Sequence, residues 1–338
     1  MDEITYDKPF KTYDELIALL KSRNIIIPDE DFAKAILCDH SYYMLINGYK
    51  NSFLSLPDTD SFAPGTTFND LYTLHLLDMS LNSILLKHII YIEHSLKSKI
   101  SYLVSQEYGV YTDKSGSDYQ NKFDYLHKSH YSTSNNRRNS ILHNLRESIR
   151  NVKNNPIMIH YLNDINHLPP WILVTNIPFG LSIEWYGILK NDDKSKICTQ
   201  FIKSNTLTSE EQKEFLRKSL ILLKEYRNKI AHGNRTFSIQ NLPVIPKKQL
   251  LELTYGMLSE KEYNSRIGQN DLLAVLFLFP ILSNDMYMLR NLVTDLEVLF
   301  MPYITKDIRI GGKTIFDIFS LPVNFFERIK KIIVSKFL

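Results

Sequence analysis

Two cysteines, Cys38 and Cys198, are all that a chain of 338 residues contains. So few exclude a disulfide framework, and with no Cys-x-x-Cys pair or Cys/His cluster they offer no zinc site. A lone disulfide stays open, but two reduced thiols in the cytoplasm are the expectation. Glycine is sparse as well, at 11, which argues against a turn-rich sheet fold. No apolar run reaches the ~20 residues a bilayer requires; the longest is Leu272 to Leu282. Met1-Asp2-Glu3-Ile4-Thr5 lacks the basic stretch and apolar core of a signal peptide. A soluble, cytoplasmic protein with no membrane partner is expected. Familiar catalytic signatures are missing too: no Gly-x-Ser-x-Gly, no P-loop, no Gly-x-Gly-x-x-Gly after a strand, no His-Glu-x-x-His. Neither a cofactor nor a metal is implied.

What is present favours helices. Leucine, isoleucine and lysine are abundant, and 44% hydrophobic with 23% charged residues is a globular balance. The length suits one large domain or two or three modest ones. A net charge of +3 means that any nucleic acid must be held by a local patch.

The spacing of apolar residues predicts an all-α fold. Leu16, Leu19 and Leu20 mark a first helix over 12–22, with Thr12 and Glu15 as a capping box. A second is expected over 29–39 and a tyrosine-rich third over 42–53. A loop follows around Asp58-Thr59-Asp60-Ser61 and Pro64-Gly65. The longest helical signal runs from Phe68 to Glu107, where Leu71, Leu74, Asp78, Leu81, Leu85, Ile89, Ile92 and Leu96 step by three or four. Residues 112–140 read as a polar loop or insertion. Breaks at Leu168-Pro169-Pro170-Trp171 and Phe179-Gly180-Leu181-Ser182 precede a short helix through Tyr186. Further helices are expected over 271–282 and 285–300. The basic amphipathic end, 325–337, is expected to dock on the protein's own core in preference to a membrane surface. The partition is 1–66, a core at 67–242 with a polar, basic insertion at about 112–155, and 243–338.

One helix ends in chemistry. Thr208 and Glu211 form a capping box, and Phe215, Leu216, Leu220, Leu223, Tyr226 and Ile230 keep a 3.6-residue period. Gly233 then stands where a helix-ending glycine belongs. The last turns carry Arg227-Asn228-Lys229-Ile230-Ala231-His232. A guanidinium matches a phosphate, and an imidazole can move a proton near neutral pH. Five residues apart, Arg227 and His232 project about 140° from one another, whereas Asn228 and His232 share a face. One helix is therefore a poor complete site, but two copies across a two-fold axis can complete it. The alternative is structural: Arg227 pairs with Glu225 or Glu93, and His232 only caps the helix. His40, His75, His88 and His160 read as structural or exposed, and His88 and His94, six apart, lie on different faces.

Upstream, Lys122, Lys128, Arg137, Arg138, Arg146, Arg150 and Lys153 face only Asp124 and Glu147 as acids between residues 122 and 153. Such a run is either a solvated face or a phosphate-contact surface, with Tyr125, Tyr131 and Tyr161 available for base stacking.

The Arg227-to-His232 segment with Arg235 beyond it resembles the RN-x-x-AH-x-x-R segment of HEPN domains, a ribonuclease signature. Lys8-Pro9-Phe10, Tyr42-Tyr43 with Gly48-Tyr49, Phe62 with Gly65-Thr66-Thr67-Phe68, Ile92-Glu93, Pro170-Trp171, and Phe179-Gly180-Leu181-Ser182 with Tyr186 resemble, in that order, the Abi-like abortive-infection proteins of the AbiD/AbiF group. The resemblance covers about residues 8–240. It departs at Thr175-Asn176, where a glutamate is expected after the Pro-Trp pair, and at Gly233, where a larger polar residue is common.

The resemblance implies a HEPN-type helical core with N- and C-terminal helical extensions. It also implies metal-independent RNA cleavage at a homodimer interface in defence against phage. Arg227, Asn228 and His232 would be catalytic, with Glu93 and Arg235 behind them. Two other readings stand beside it. One is an RNA-binding module holding a non-coding RNA, by likeness to the RNA-guided effectors of type VI CRISPR systems. The other is a non-catalytic scaffold paired with a nucleotidyltransferase-type antitoxin.

Overall fold

The structure, a computed structural model, describes residues 6–56, 59–117 and 120–338. The N-terminal pentapeptide and Asp58 of the expected loop lie outside them. The helices are α1 (Tyr13–Ser22), α2 (Glu30–Asp39), α3 (Phe68–Tyr108), α4 (Arg138–Arg150), α5 (Pro156–Asp164), α6 (Pro170–Leu173) and α7 (Phe179–Ile188). They continue with α8 (Asn191–Cys198), α9 (Ser209–Ala231), α10 (Lys247–Leu253), α11 (Glu260–Asn264), α12 (Leu272–Leu282), α13 (Met286–Thr305), α14 (Ile315–Phe319) and α15 (Phe325–Phe337). Among the described residues there is no strand, only isolated bridges such as Ile26 to Thr67. The fold is all-α.

The chain forms two compact units, both discontinuous in sequence. The first comprises Met1–Ile84, Gly233–Ser238 and Thr294–Val323; the second comprises Leu85–His232, Ile239–Val293 and Asn324–Leu338. Two of the divisions, after Ile84 and after Val293, fall inside the unbroken helices α3 and α13.

In the first unit α1 starts at its capping box, with Thr12 accepting from the Glu15 amide and Glu15 answering on the Thr12 amide. Ile17 and Leu20 of α1 and Ala33, Ile36 and Leu37 of α2 are buried where these helices pack. The helix expected over 42–53 forms over 42–52, as a π-helical stretch, Tyr43–Asn47, then helical Gly48 and Tyr49, then a 3-10 turn, Lys50–Ser52. Gly48 takes right-handed helical angles, φ −66°. Its backbone lies so close to the Arg235 guanidinium that a Cβ would fall 1.9 Å from Nη2.

The second unit is built around α12, whose eleven residues are all buried, as a helix apolar on every side must be. α15 packs on it through Phe325, Phe326, Ile329, Ile332 and Ile333. Lys336 donates to the carbonyls of Pro280, Ile281 and Ser283 at 3.0, 2.7 and 2.7 Å, satisfying groups that a helix C-terminus leaves open. The basic C-terminal helix thus docks on its own core.

The insertion is no loose arm. Asp124 is buried, accepting from Thr112 Oγ1 at 2.8 Å, the Asp113 amide at 3.0 Å and the Leu126 amide at 2.7 Å. Burial raises its carboxyl nonetheless. Tyr125 and Tyr131 are fully buried, and Trp185 Nε1 donates to the Tyr131 hydroxyl at 3.0 Å. These two tyrosines are core residues and are closed to base stacking. Tyr161 is half-buried.

Candidate functional site

α9 is placed by both of its ends. At the start Thr208 accepts from the Glu211 amide at 3.3 Å and Glu211 answers on the Thr208 amide at 2.8 Å. Phe215, Leu216, Leu220, Leu223, Tyr226 and Ile230 are buried, against α7, α8, α10 and α12. At the far end the His232 amide donates to the Asn228 carbonyl at 3.1 Å. Gly233 follows at φ +80°, a left-handed conformation that glycine adopts without strain.

Arg227 and Asn228 are half-buried and His232 is exposed. Arg227 Nη1 donates to Asn228 Oδ1 at 3.2 Å, which leaves most of its donors open. Among the described residues no carboxylate pairs with Arg227. The two acids that a structural role required are engaged elsewhere: Glu225 with Lys224 at 2.5 Å, and Glu93 with Lys97 at 2.7 Å. Glu93 is buried on α3 with that lysine, and the expected contact between Glu93 and Arg227 is not formed. A fixed guanidinium beside an amide and an accessible imidazole can bind a phosphodiester and move a proton on it.

Arg235 belongs to the first unit. It donates to the carbonyls of Gly233 and Met44, and its guanidinium stacks 4.6 Å over the Tyr49 ring. Beside it lies a cluster centred on Asp78 of α3, 1% exposed. Asp78 accepts from the Tyr49 hydroxyl at 3.0 Å, the Thr236 amide at 3.0 Å and the Thr236 hydroxyl. His75 reaches Tyr49 and His40 at 3.2 Å each. Burial raises the Asp78 carboxyl and the Tyr49 hydroxyl, and lowers the His75 imidazole to about 4. Sequence reasoning passed over this cluster. Its signal was an aspartate standing at an apolar position of the α3 stripe.

The basic stretch is divided by burial. Arg146, expected to contact RNA, is 3% exposed and donates to the Leu126 carbonyl at 2.5 Å. It is a core group holding the insertion, because α4 turns that side inward with Leu142, Leu145 and Ile149. Lys122, Lys128 and Lys153 are exposed, and Arg138 is half-buried. Arg150 pairs with Glu147 at 2.5 Å, and Arg137 with Glu184 at 2.6 Å.

No helix among the described residues is long and apolar enough to cross a membrane. Helices throughout define the class: an all-α protein, with half-buried Arg227 and Asn228 and exposed His232 at the end of one helix. The family is identified by comparison: residues 35–238 match the Abi-like protein family, and the chain belongs to it. The match runs from α2 through the Asp78 cluster and α9 to Ser238. No curated relative and no solved structure matches the chain. Membership points to abortive infection, the phage defence from which the family takes its name.

Proposed function

We propose that this protein is a HEPN-type, metal-independent endoribonuclease, a toxin-like effector of abortive infection acting as a homodimer. The observation that supports it most is the state of Arg227: half-buried, steadied by Asn228 and unpaired with any described carboxylate, on the helix that ends at an exposed His232. In the reaction the RNA 2′-hydroxyl loses its proton and attacks the adjacent phosphorus. The bond to the 5′-oxygen breaks, that oxygen takes up a proton, and the products are a 2′,3′-cyclic phosphate and a 5′-hydroxyl. His232 serves as acid/base and Arg227 stabilises the charge on the pentacoordinate phosphorus. Asn228 holds the guanidinium in place.

Because Arg227 and His232 diverge by about 140° on one helix, each active centre uses both copies of the motif across the two-fold axis. A dimer-breaking variant therefore loses cleavage. An antitoxin partner and a bound non-coding RNA are compatible with this reading, and copurification tests both.

The test is incubation of the purified protein with RNA and with DNA of the same sequence, each with and without EDTA. RNA is cut in both conditions and DNA in neither, since DNA lacks the attacking hydroxyl. Loss of RNA cleavage in EDTA overturns the mechanism.

A further inference from the structure

α4, α7 and α9 enclose a groove of about 790 Å³ in the second unit. This is within the range of sites that hold ligands, about 300–1,000 Å³. Its basic groups are Arg137, Arg217 and Lys224, and its one acid is Glu184. Arg217 is exposed and, among the described residues, bonded to nothing. The amides of Asn136 and Asn144 also line the groove. Glycine keeps the α7 wall open: a Cβ on Gly187 would meet nothing within 4 Å.

The groove has a direction. Its α9 residues are Arg217, Ile221 and Lys224, and Asn228 and His232 follow at two further steps of four. On an ideal helix Lys224, Asn228 and His232 lie at about −20°, +20° and +60° from Arg217, and Arg227 lies at about −80°. The line of the groove thus runs between Arg227 and His232, and Lys224 stands only ~12 Å along the axis from His232.

We propose that this groove is the binding track for single-stranded RNA, holding the strand beside the scissile phosphate. The proposal rests on the ribonuclease reading for the identity of the strand. A strand whose phosphates meet Arg217, Lys224 and Arg137, and whose sugars and base edges meet Asn136 and Asn144, arrives at the Arg227/Asn228/His232 set without turning. The track shares only Arg137 with the basic stretch between residues 122 and 153.

The experiment uses the full chain carrying His232→Ala, which keeps RNA intact. Binding of a labelled single-stranded RNA is followed by fluorescence anisotropy over a range of salt. Arg217→Ala is expected to weaken binding roughly tenfold and to lower the salt slope by about 0.7, the loss of one phosphate contact on a single strand. Gly187→Phe, which puts a ring into open space, is expected to block the groove. Glu184→Gln frees Arg137 and is expected to tighten binding, a gain that misfolding cannot imitate. Unchanged affinity in all three overturns the track. The two readings fail separately: if the unsubstituted protein cuts no RNA but these three shifts appear, the track stands and the nuclease falls.

Discussion

Asp78 and Arg227 show two ways in which this protein treats a charged group. Asp78 is 1% exposed and takes hydrogen bonds from Tyr49 and Thr236. Arg227 is half-buried and bonded, among the described residues, to Asn228. A buried charge must be satisfied within the fold, so the Asp78 cluster is saturated and stabilises the segment Gly233–Ser238. A charge whose donors stay open can be satisfied by something that arrives. The first arrangement holds structure, and the second leaves donors open. Changes on each side should therefore break different properties.

The largest effect is expected at the open group. His232→Ala and Arg227→Ala should each lower RNA cleavage by about 10²–10⁴-fold. Stability at such accessible positions should move by only about 0.5 kcal/mol. Single-turnover cleavage and thermal unfolding of the same samples check both statements. Cleavage at the normal rate by both variants would make the motif structural and remove the contrast.

How much of this was legible in the sequence depended on distance along the chain. Thr208, Glu211 and Gly233 announced both ends of α9 because caps and left-handed glycines are local devices. Arg146 and Arg217 could not be told apart in the same way. Both are arginines on amphipathic helices, and only the packing of α4 on the segment around Leu126 shows that the first is internal. Asp78 was visible as an oddity in an apolar stripe, but its partners at 49 and 236 are far away in sequence. Glu93 shows the converse: its partner, Lys97, is four residues on along the same helix, an ordinary ion pair that sequence spacing allows.

Next in size is Asp78→Ala. It leaves the Tyr49 hydroxyl and the Thr236 amide and hydroxyl without an acceptor in a buried site. The expected cost is about 3–5 kcal/mol in denaturant unfolding, with cleavage per folded molecule preserved. If stability held and cleavage vanished, Asp78 would belong with the open group.

The same cluster predicts a pH dependence. Burial lowers the folded-state imidazole of His75 to about 4, against about 6.5 in an unfolded chain. Between those values the unfolded state binds more protons, so stability falls as pH drops from about 6.5 towards 4. Allowing for solvent near the ring, about 1–2 kcal/mol should be lost across that window. His75→Gln cannot take the proton, and its stability should decline less over the same range. Parallel curves for the two proteins would show that His75 does not carry the effect.

The smallest expected change sharpens the boundary between the two kinds of charge. Glu93 pairs with Lys97, and their side chains are 10% and 13% exposed. Glu93→Gln keeps an acceptor for the lysine and removes the charge, so about 1 kcal/mol of stability should go. Cleavage, measured as separate kcat and KM, should stay where it was. A fall in kcat with unchanged KM and unchanged unfolding would mean that Glu93 leaves Lys97 and orients Arg227 once RNA is bound. Lys97→Met then separates the two cases, because it removes only the lysine and should spare a glutamate that acts on Arg227.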